Sequence, residues 1–157
     1  MTRHFLRDDD LSPAELLEVL DLADRMKAEP FDHKPLAGPR TVALVFDRPT
    51  LRTQVSFAAG IAELGGSPML VEGKLAGIGV RESVEDVARV LGRQVSTVVW
   101  RTFAQSDLEL MAQHAGVPVV NAVTDRGAIA ATDRASSTPA GRCRAGRSST
   151  ASTGKAR

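Results

Sequence analysis

Apolar residues recur at helical spacing near the start of the chain. Leu16, Leu20 and Ala23 lie three or four positions apart, which places their side chains on one face of a helix. The segment Ser12-Pro-Ala-Glu15 supplies the start signal: a serine N-cap, a proline at the first helical position and a glutamate three residues after the cap. The pattern predicts a helix over residues 13–28.

Short β-branched runs alternate with helical patterns along the chain as far as residue 121. The predicted strands are 41–46, 69–71, 97–100 and 117–120. The predicted helices between them are 51–64, one opened by Ser83 and ended by Gly92, and one opened by Ser106 and ended by Gly116. A glycine-rich loop is predicted over residues 73–79.

Strands that alternate with helices of this length are typical of a parallel sheet with helices on both faces. We therefore expect an α/β fold, in which a four-stranded parallel sheet is flanked by helices and followed by a disordered C-terminal tail. Ligands of such sheets bind at the carboxyl ends of the strands. The segments that follow the predicted strands are 48–52, 73–79, Arg101-Thr102 and Asn121.

The composition changes at residue 126. Residues 126–157 hold six Arg and one Lys against one Asp, and a single isoleucine is their only large aliphatic residue. Such a segment cannot bury enough apolar surface to offset its chain entropy. We predict a mildly acidic folded domain over 1–125 and a disordered basic tail over 126–157. The single cysteine, Cys143, lies in this tail, so an internal disulfide framework is excluded.

Several classes of function are disfavoured by what the chain does not contain. No apolar run approaches the roughly 20 residues that span a bilayer, and the charged first ten residues do not resemble a signal peptide, so we expect a cytoplasmic protein with no membrane partner. His4 and His33 lack metal-ligand spacing, so no metal is expected. The glycine-rich loop does not match a nucleotide-binding fingerprint, and we expect no cofactor. The tail lacks interleaved aromatic residues, and we expect no nucleic-acid partner.

The strongest chemical signal is the segment Thr50-Leu-Arg-Thr53, which directly follows the apolar run 41–46 and a proline. It falls at the predicted start of a helix, where the first backbone N–H groups have no partner within the helix and carry the positive end of its dipole. Two hydroxyls and a guanidinium beside these groups predict an anion site, best matched to a phosphate. The alternative is an ordinary N-cap with a solvated arginine.

The order and spacing of several motifs resemble the N-terminal domain of the ornithine carbamoyltransferases over roughly residues 3–125. The motifs are His4-Phe-Leu, Asp10-Leu-Ser-Pro-Ala-Glu15, Thr50-Leu-Arg-Thr53, Gly79-Val-Arg-Glu-Ser83, Trp100-Arg-Thr-Phe103 and Pro118-Val-Val-Asn121. Aspartate carbamoyltransferase shares the fold and the phosphate loop, but the opening His-Phe-Leu and the Trp-Arg-Thr-Phe segment favour the ornithine branch.

The resemblance implies which residues bind the substrate. The family grips carbamoyl phosphate with a Ser-x-Arg-Thr-Arg loop, in which Thr50 takes the place of the serine, Leu51 is the variable position, and Arg52 and Thr53 match. Arg101 matches the family arginine that contacts carbamoyl phosphate, and we expect it to be both a binding and a catalytic residue. A guanidinium can hold two phosphate oxygens or polarise a carbonyl while it neutralises developing charge.

The chain departs from the family pattern at three places. Gln54 stands where the family loop has its final arginine, which removes one positive charge. The loop 73–79 lacks the Ser and Gln that the family carries there, and Lys74 is its only cation. After Asp125 the family motif Asp-x-x-His-Pro-x-Gln, which holds the carbamoyl group, is missing, as is the second domain that binds ornithine.

A frame-shift would account for the last departure. Ala135-Ser-Ser-Thr-Pro139 can be encoded by GCG-AGT-TCC-ACC-CCN, and the same bases read two positions later encode Glu-Phe-His-Pro, which fits the missing motif. We therefore hypothesise that residues 126–157 are a frame-shifted reading of the gene. Sequencing of the coding DNA tests this hypothesis.

By resemblance, the reaction class is carbamoyl transfer from carbamoyl phosphate to ornithine, a step of arginine biosynthesis that yields citrulline and phosphate. Members of the family form homotrimers with sites shared between subunits. Because half of the site and the ornithine domain are missing, we expect this chain to have little or no turnover. Two alternatives stay open: a non-enzymatic carbamoyl phosphate-binding module, and a defective fragment with no function.

Overall fold

The computed structural model describes residues 2–38 and 40–124. The helices are α1 (Pro13–Ala28), α2 (Leu51–Glu63), α3 (Gly73–Ala76), α4 (Val84–Gln94) and α5 (Gln105–Ala115). The strands are β1 (Thr41–Phe46), β2 (Ser67–Glu72), β3 (Thr97–Arg101) and β4 (Val119–Asn121). A short 3₁₀ turn, Asp8–Asp10, precedes α1. The predicted tail over 126–157 lies outside the described residues.

All four strands pair in parallel, in the order β2-β1-β3-β4. This confirms the predicted four-stranded parallel sheet flanked by helices. β1 is central and is buried along almost its whole length, as its run of apolar residues predicts for a strand covered on both faces. The other three strands begin or end within two residues of their predicted limits.

Two hydrophobic clusters lie on opposite faces of the sheet. One cluster packs α4 and α5 against alternate residues of the central strands, including Ala43, Val45 and Trp100. The other packs α2, through Ile61, against the intervening residues, including Leu44. The helix that follows β1 therefore covers one face, and the helix that follows β3 covers the other. Because the helices that follow β1 and β3 cover opposite faces, a crevice opens between these two strands. Doubly wound sheets bind their ligands in such a crevice.

Serine caps begin two of the helices, as predicted. The Ser12 hydroxyl accepts a hydrogen bond from the backbone N–H of Glu15, whose carboxylate accepts one in return from the Ser12 backbone N–H. The Ser83 hydroxyl accepts one from the backbone N–H of Asp86. The prediction that Ser106 caps α5 is wrong, because that helix already begins at Gln105 and its preceding residue, Ala104, has no capping side chain.

Two glycines behave differently from their prediction. The segment 73–79 is not all loop, because its first four residues form α3, which ends where Gly77 adopts a left-handed backbone with φ of 70°. Gly92 does not end its helix, because α4 continues to Gln94. A Cβ atom built on Gly92 would lie 1.7 Å from the carbonyl oxygen of Ala115. The glycine is therefore explained by the close approach of α4 to the end of α5, and not by helix termination.

The N-terminal segment extends the sheet beyond β4. The Phe5 backbone N–H donates to the Val119 carbonyl over 2.9 Å, and the Asn121 N–H donates to the Phe5 carbonyl over 2.8 Å. The Val119 N–H also donates to Nδ1 of His4. These bonds satisfy backbone groups that a sheet edge would otherwise present to solvent.

The apolar stripe predicted on α1 is present but is not covered by the described residues. No residue of this helix is buried, and the Leu20 side chain is 53% exposed. Within the described residues, no helix is both long and apolar enough to cross a bilayer.

Candidate oxyanion site

The predicted site residues lie at the carboxyl ends of β1 and β3, on the crevice side of the sheet. β1 ends at Phe46, and a turn of four residues leads into α2. The backbone N–H of Asp47 donates to the carbonyl of Arg101 over 3.0 Å, which continues the pairing of β1 and β3 one residue past Phe46. The end of β3 and the start of α2 are thereby brought together.

Three of the predicted residues form one hydrogen-bonded cluster. The Thr50 hydroxyl donates to Oγ1 of Thr53 over 3.1 Å, and Nη1 of Arg101 donates to the same oxygen over 3.3 Å. All three residues are half-buried. Because Thr53 Oγ1 accepts both bonds, its hydroxyl hydrogen points away from these two donors. The guanidinium keeps further N–H groups in its planar fork, a geometry that matches two oxygens of a phosphate or carboxylate.

The other two predicted residues, Leu51 and Arg52, occupy the first turn of α2, directly after Thr50. Thr50 precedes the helix and has an extended backbone, and its side chain makes no capping bond to the helix. Leu51 is the first helical residue, and its side chain is 76% exposed. Only its backbone N–H is therefore suited to bind an oxyanion. Arg52 is also exposed. The structure does not join Arg52 by a side-chain hydrogen bond to the Thr50, Thr53 and Arg101 cluster.

The first turn of α2 adds an electrostatic component that belongs to the backbone. The N–H groups of its first residues have no carbonyl partner within the helix, and the aligned peptide dipoles place a partial positive charge there. No acidic residue occupies this turn to neutralise that charge. The arrangement can therefore hold an oxyanion between backbone N–H groups, a hydroxyl and a guanidinium.

Gln54 and Lys74 line a neighbouring cleft of about 790 Å³, between the turn after β1, α3 and the end of β3. Gln54 is half-buried and Lys74 is exposed. The structure does not bring Lys74 into hydrogen-bond contact with the cluster around Thr53. That Lys74 supplies a cation to this site therefore stays a prediction from the sequence.

The residue that sequence reasoning missed is Asp47. Its Oδ2 accepts a hydrogen bond from the indole Nε1 of Trp100 over 3.0 Å, and the buried side chain of Thr102 also acts on this carboxylate. Burial raises the pKa of the Asp47 carboxyl, bonds from Thr102 and Trp100 oppose that shift, and the charge of Asp107 adds to it. A signal was available, because a buried tryptophan N–H needs an acceptor. Trp100 is 1% exposed and packs in the hydrophobic core.

A second contact joins the same two loops. The guanidinium carbon of Arg48 lies 4.3 Å from the centre of the Phe103 ring. Cations over aromatic faces attract the ring quadrupole, typically by about 0.5–1 kcal/mol at exposed sites. Asp47 and Arg48 are adjacent in sequence, and together they hold the turn after β1 to the end of β3 and the loop that follows it.

Comparison with known proteins identifies the family of the chain. Residues 3–127 match the family model described as the aspartate/ornithine carbamoyltransferase, carbamoyl-P binding domain. The chain belongs to the aspartate/ornithine carbamoyltransferase family. The match covers both elements of the cluster, the 50–53 segment and Arg101.

Curated relatives and solved structures that match the chain are named ornithine carbamoyltransferase. The chain is 59% identical over 125 residues to the ornithine carbamoyltransferase of Clavibacter sepedonicus, covering 80% of this chain and 41% of that protein. For Mycobacterium leprae the identity is 54%, with the same coverage. The crystal structure of the Thermus thermophilus ornithine carbamoyltransferase matches with a TM-score of 0.73 at 38% identity, covering 80% of this chain and 43% of that one. The chain therefore spans about two fifths of the length of the relatives it matches.

Proposed function

We propose that the chain binds carbamoyl phosphate, with its phosphate held by the first turn of α2 and by the side chains of Thr50, Arg52, Thr53 and Arg101. The observation that carries the proposal is the hydrogen-bonded cluster of Thr50, Thr53 and Arg101 at the N-terminus of α2. It lies within the segment that matches a carbamoyl-P binding domain. The backbone N–H groups of residues 51–53 and two hydroxyls would surround the phosphate oxygens, and the guanidinium of Arg101 would reach the carbamoyl end.

In a whole protein of this family, the reaction we propose is transfer of the carbamoyl group to the δ-amine of ornithine. The neutral δ-amine forms a bond to the carbamoyl carbon, the bond from that carbon to the phosphate oxygen breaks with its electron pair on the phosphate, and the amine proton passes to the departing phosphate, so that citrulline and phosphate result. Arg101 would stabilise the charge that develops on the carbamoyl oxygen or the departing phosphate. Because the amine is itself the nucleophile, positioning supplies much of the rate. This would be a step of arginine biosynthesis.

Calorimetric titration of the full 157-residue chain with carbamoyl phosphate, and separately with inorganic phosphate, tests the binding proposal. Arg52→Ala should weaken binding of both ligands about tenfold or more, since a charge-assisted hydrogen bond contributes about 1.5–3 kcal/mol. Arg93→Ala is the matched control, because Arg93 is an exposed arginine in the last turn of α4. No measurable binding of either ligand, or equal losses for the two variants, would contradict the proposal.

We propose further that the isolated chain has little turnover, because its matching segment covers only 41% of the length of the curated relative. A citrulline assay with carbamoyl phosphate and ornithine tests this. Rates near those of a full-length relative would refute it. Binding without turnover favours a binding module, and neither binding nor turnover favours a defective fragment.

The partners that we propose are further copies of this chain. Large apolar side chains are exposed on β2 and in the segment that follows it: Leu70 is 62%, Leu75 73% and Val80 88% exposed. Burial of such a surface is the main driving force of stable association. Sedimentation velocity of the chain over a range of concentrations should detect trimers, and substitution of Leu75 by Glu should shift the population towards monomers.

A further inference from the structure

We propose that Asp47 is the positioning residue of the oxyanion site: its carboxylate ties the turn between β1 and α2 to the end of β3, and so sets the placement of Arg101 against Thr53. This inference rests on the function proposed above for those two residues. Among the described residues, the Asp47 carboxylate makes no hydrogen bond to the side chains of Thr50, Thr53 or Arg101. It acts through the backbone and side chains that flank Arg101.

The carboxylate is linked to the sequence neighbours of Arg101. Its Oδ2 accepts the indole N–H of Trp100 over 3.0 Å, and the Thr102 side chain acts on the same carboxylate by lowering its pKa. Trp100 and Thr102 are 1% and 3% exposed, so neither has solvent as an alternative partner. Side chains alternate between the two faces of a strand. Asp47 therefore holds the residues on one face while Arg101 projects to the other, towards Thr53.

The position of Asp47 is also restricted by β3 on one side and by the start of α3 on the other. Its backbone N–H donates to the carbonyl of Arg101 over 3.0 Å. On the other side, a Cβ atom built on Gly73 would lie only 1.9 Å from Oδ1 of Asp47. The carboxylate thus occupies the space that any side chain at residue 73 would need. A displaced Asp47 would move the end of β3 relative to the start of α2, and the bond between Arg101 and Thr53 spans that gap.

Other charged groups line the same cleft and must be separated from the effect of Asp47. They are Arg48, Glu72, Lys74 and Asp107. Asp107 is the useful comparison, because its charge raises the pKa of Asp47 although the structure gives it no bond to Trp100. A change that acts only through the charge of the cleft should appear with Asp107→Asn. A change that needs the clamp should appear only with substitutions of Asp47.

The chain offers a direct probe of the clamp, because Trp100 is its only tryptophan and it contains no tyrosine. In a pH titration of the full chain, the Trp100 fluorescence and the amide signals of Thr53 and Arg101 should change together, with a midpoint above the ordinary range of an aspartate. Asp47→Asn should abolish this shared transition. Asp107→Asn should keep the transition and move its midpoint to lower pH, because it removes a charge that raises the pKa of Asp47.

Binding of inorganic phosphate gives the second readout. Asp47→Ala should weaken it between about tenfold and a hundredfold, because misplacement of a binding group by about 1 Å has consequences of that size. Asp47→Asn keeps an acceptor for the Trp100 indole and should stay within about threefold of the wild type, as should Asp107→Asn. If Asp47→Ala does not fold, Thr102→Val replaces it, since that variant removes the hydroxyl that favours the charged carboxylate and should weaken phosphate binding several-fold.

The outcomes separate the clamp from the proposed function. If the three signals titrate together but the wild type does not bind phosphate, the proposed function fails and the clamp stands. If Asp47→Ala, or Thr102→Val in its place, binds phosphate as the wild type does, Asp47 is not a positioning residue. The same conclusion follows if Trp100 titrates while the Thr53 and Arg101 amides do not respond.

Discussion

Arg101 donates a hydrogen bond from Nη1 to the hydroxyl oxygen of Thr53, so the end of β3 is joined to the first turn of α2. The two residues are 48 positions apart in sequence. Their meeting follows from the parallel pairing of β1 with β3, which brings the carboxyl ends of both strands to the same edge of the sheet. The contact places the planar donor fork of an arginine beside helix N–H groups that lack partners.

Arg101→Lys tests whether this fork matters beyond its charge. Lysine keeps the positive charge but presents it as a point and cannot make two parallel bonds to one phosphate. We expect the affinity for inorganic phosphate to fall by about 1.5–3 kcal/mol, as measured by calorimetry. The thermal midpoint should stay close to that of the wild type, since the residue is only half-buried. Arg93→Lys on α4 serves as the matched control, and equal affinities for the two variants would contradict a special role for the fork.

Gln54→Arg tests the departure from the family loop. Restoring a cation one residue after Thr53 should tighten phosphate binding several-fold at low salt. The gain should shrink as salt rises, because added ions screen charges that are partly exposed. Gln94→Arg, at the exposed end of α4, adds the same charge away from the site and should have no such effect. A gain shared by both variants would mean that net charge alone is responsible.

Gly92→Ala and Gly60→Ala should change stability in opposite directions. Both glycines lie inside helices, where alanine is intrinsically better by about 0.8–1 kcal/mol. The new Cβ at residue 92 would lie 1.7 Å from the Ala115 carbonyl oxygen, whereas the one at residue 60 meets no atom within 4 Å. Urea denaturation should therefore show Gly60→Ala gaining up to about 1 kcal/mol. Gly92→Ala should lose about 1–3 kcal/mol through overpacking of α4 against α5. Equal effects at the two sites would contradict this close approach.

Ser12→Ala should destabilise the start of α1. It removes the acceptor for the Glu15 backbone N–H, and loss of such a cap typically costs about 1 kcal/mol. Urea denaturation measures the change. A substitution of Ser106, which does not cap α5, is the contrasting case and should have a smaller effect.

Glu15→Gln gives a prediction with a defined pH dependence. Bonds from Arg3 and from Ser12 lower the pKa of the Glu15 carboxyl from 4.5 to about 2. Because the folded-state pKa is depressed, the stabilising contribution is present above pH 4.5 and is lost as the pH falls towards 2. The stability difference between wild type and Glu15→Gln should therefore shrink over that interval. Urea denaturation of the two proteins at several pH values measures this trend.

Particular residues show which features of the fold the sequence predicts and which it does not. The helix starts at Ser12 and Ser83 were predictable, because their capping bonds are local and involve residues three positions apart. The start of α5 was not, because it depends on distant contacts: the Gln105 side chain accepts a bond from Thr124 and donates one to the Leu6 carbonyl. Gly92 was misassigned for the same reason, since only the packing of two helices shows why it is glycine.

The same distinction applies to the candidate site. Its location followed from the strand-to-helix pattern at 41–53 and from the resemblance, because both read short segments of chain. The clamp by Asp47 did not, since its partners Trp100 and Gly73 are far away in sequence and meet only in the folded sheet. Which member of the cluster faces the ligand is likewise a property of the fold.

The bonds between Phe5 and the last strand have a practical meaning for anyone who prepares this protein. A purification tag or fusion partner placed ahead of the N-terminus is anchored only a few residues from the margin of the sheet. A bulky or strongly charged one would pull on hydrogen bonds that hold Val119 and Asn121 in register. A tag is better attached where it leaves these first residues free to pair with the strand.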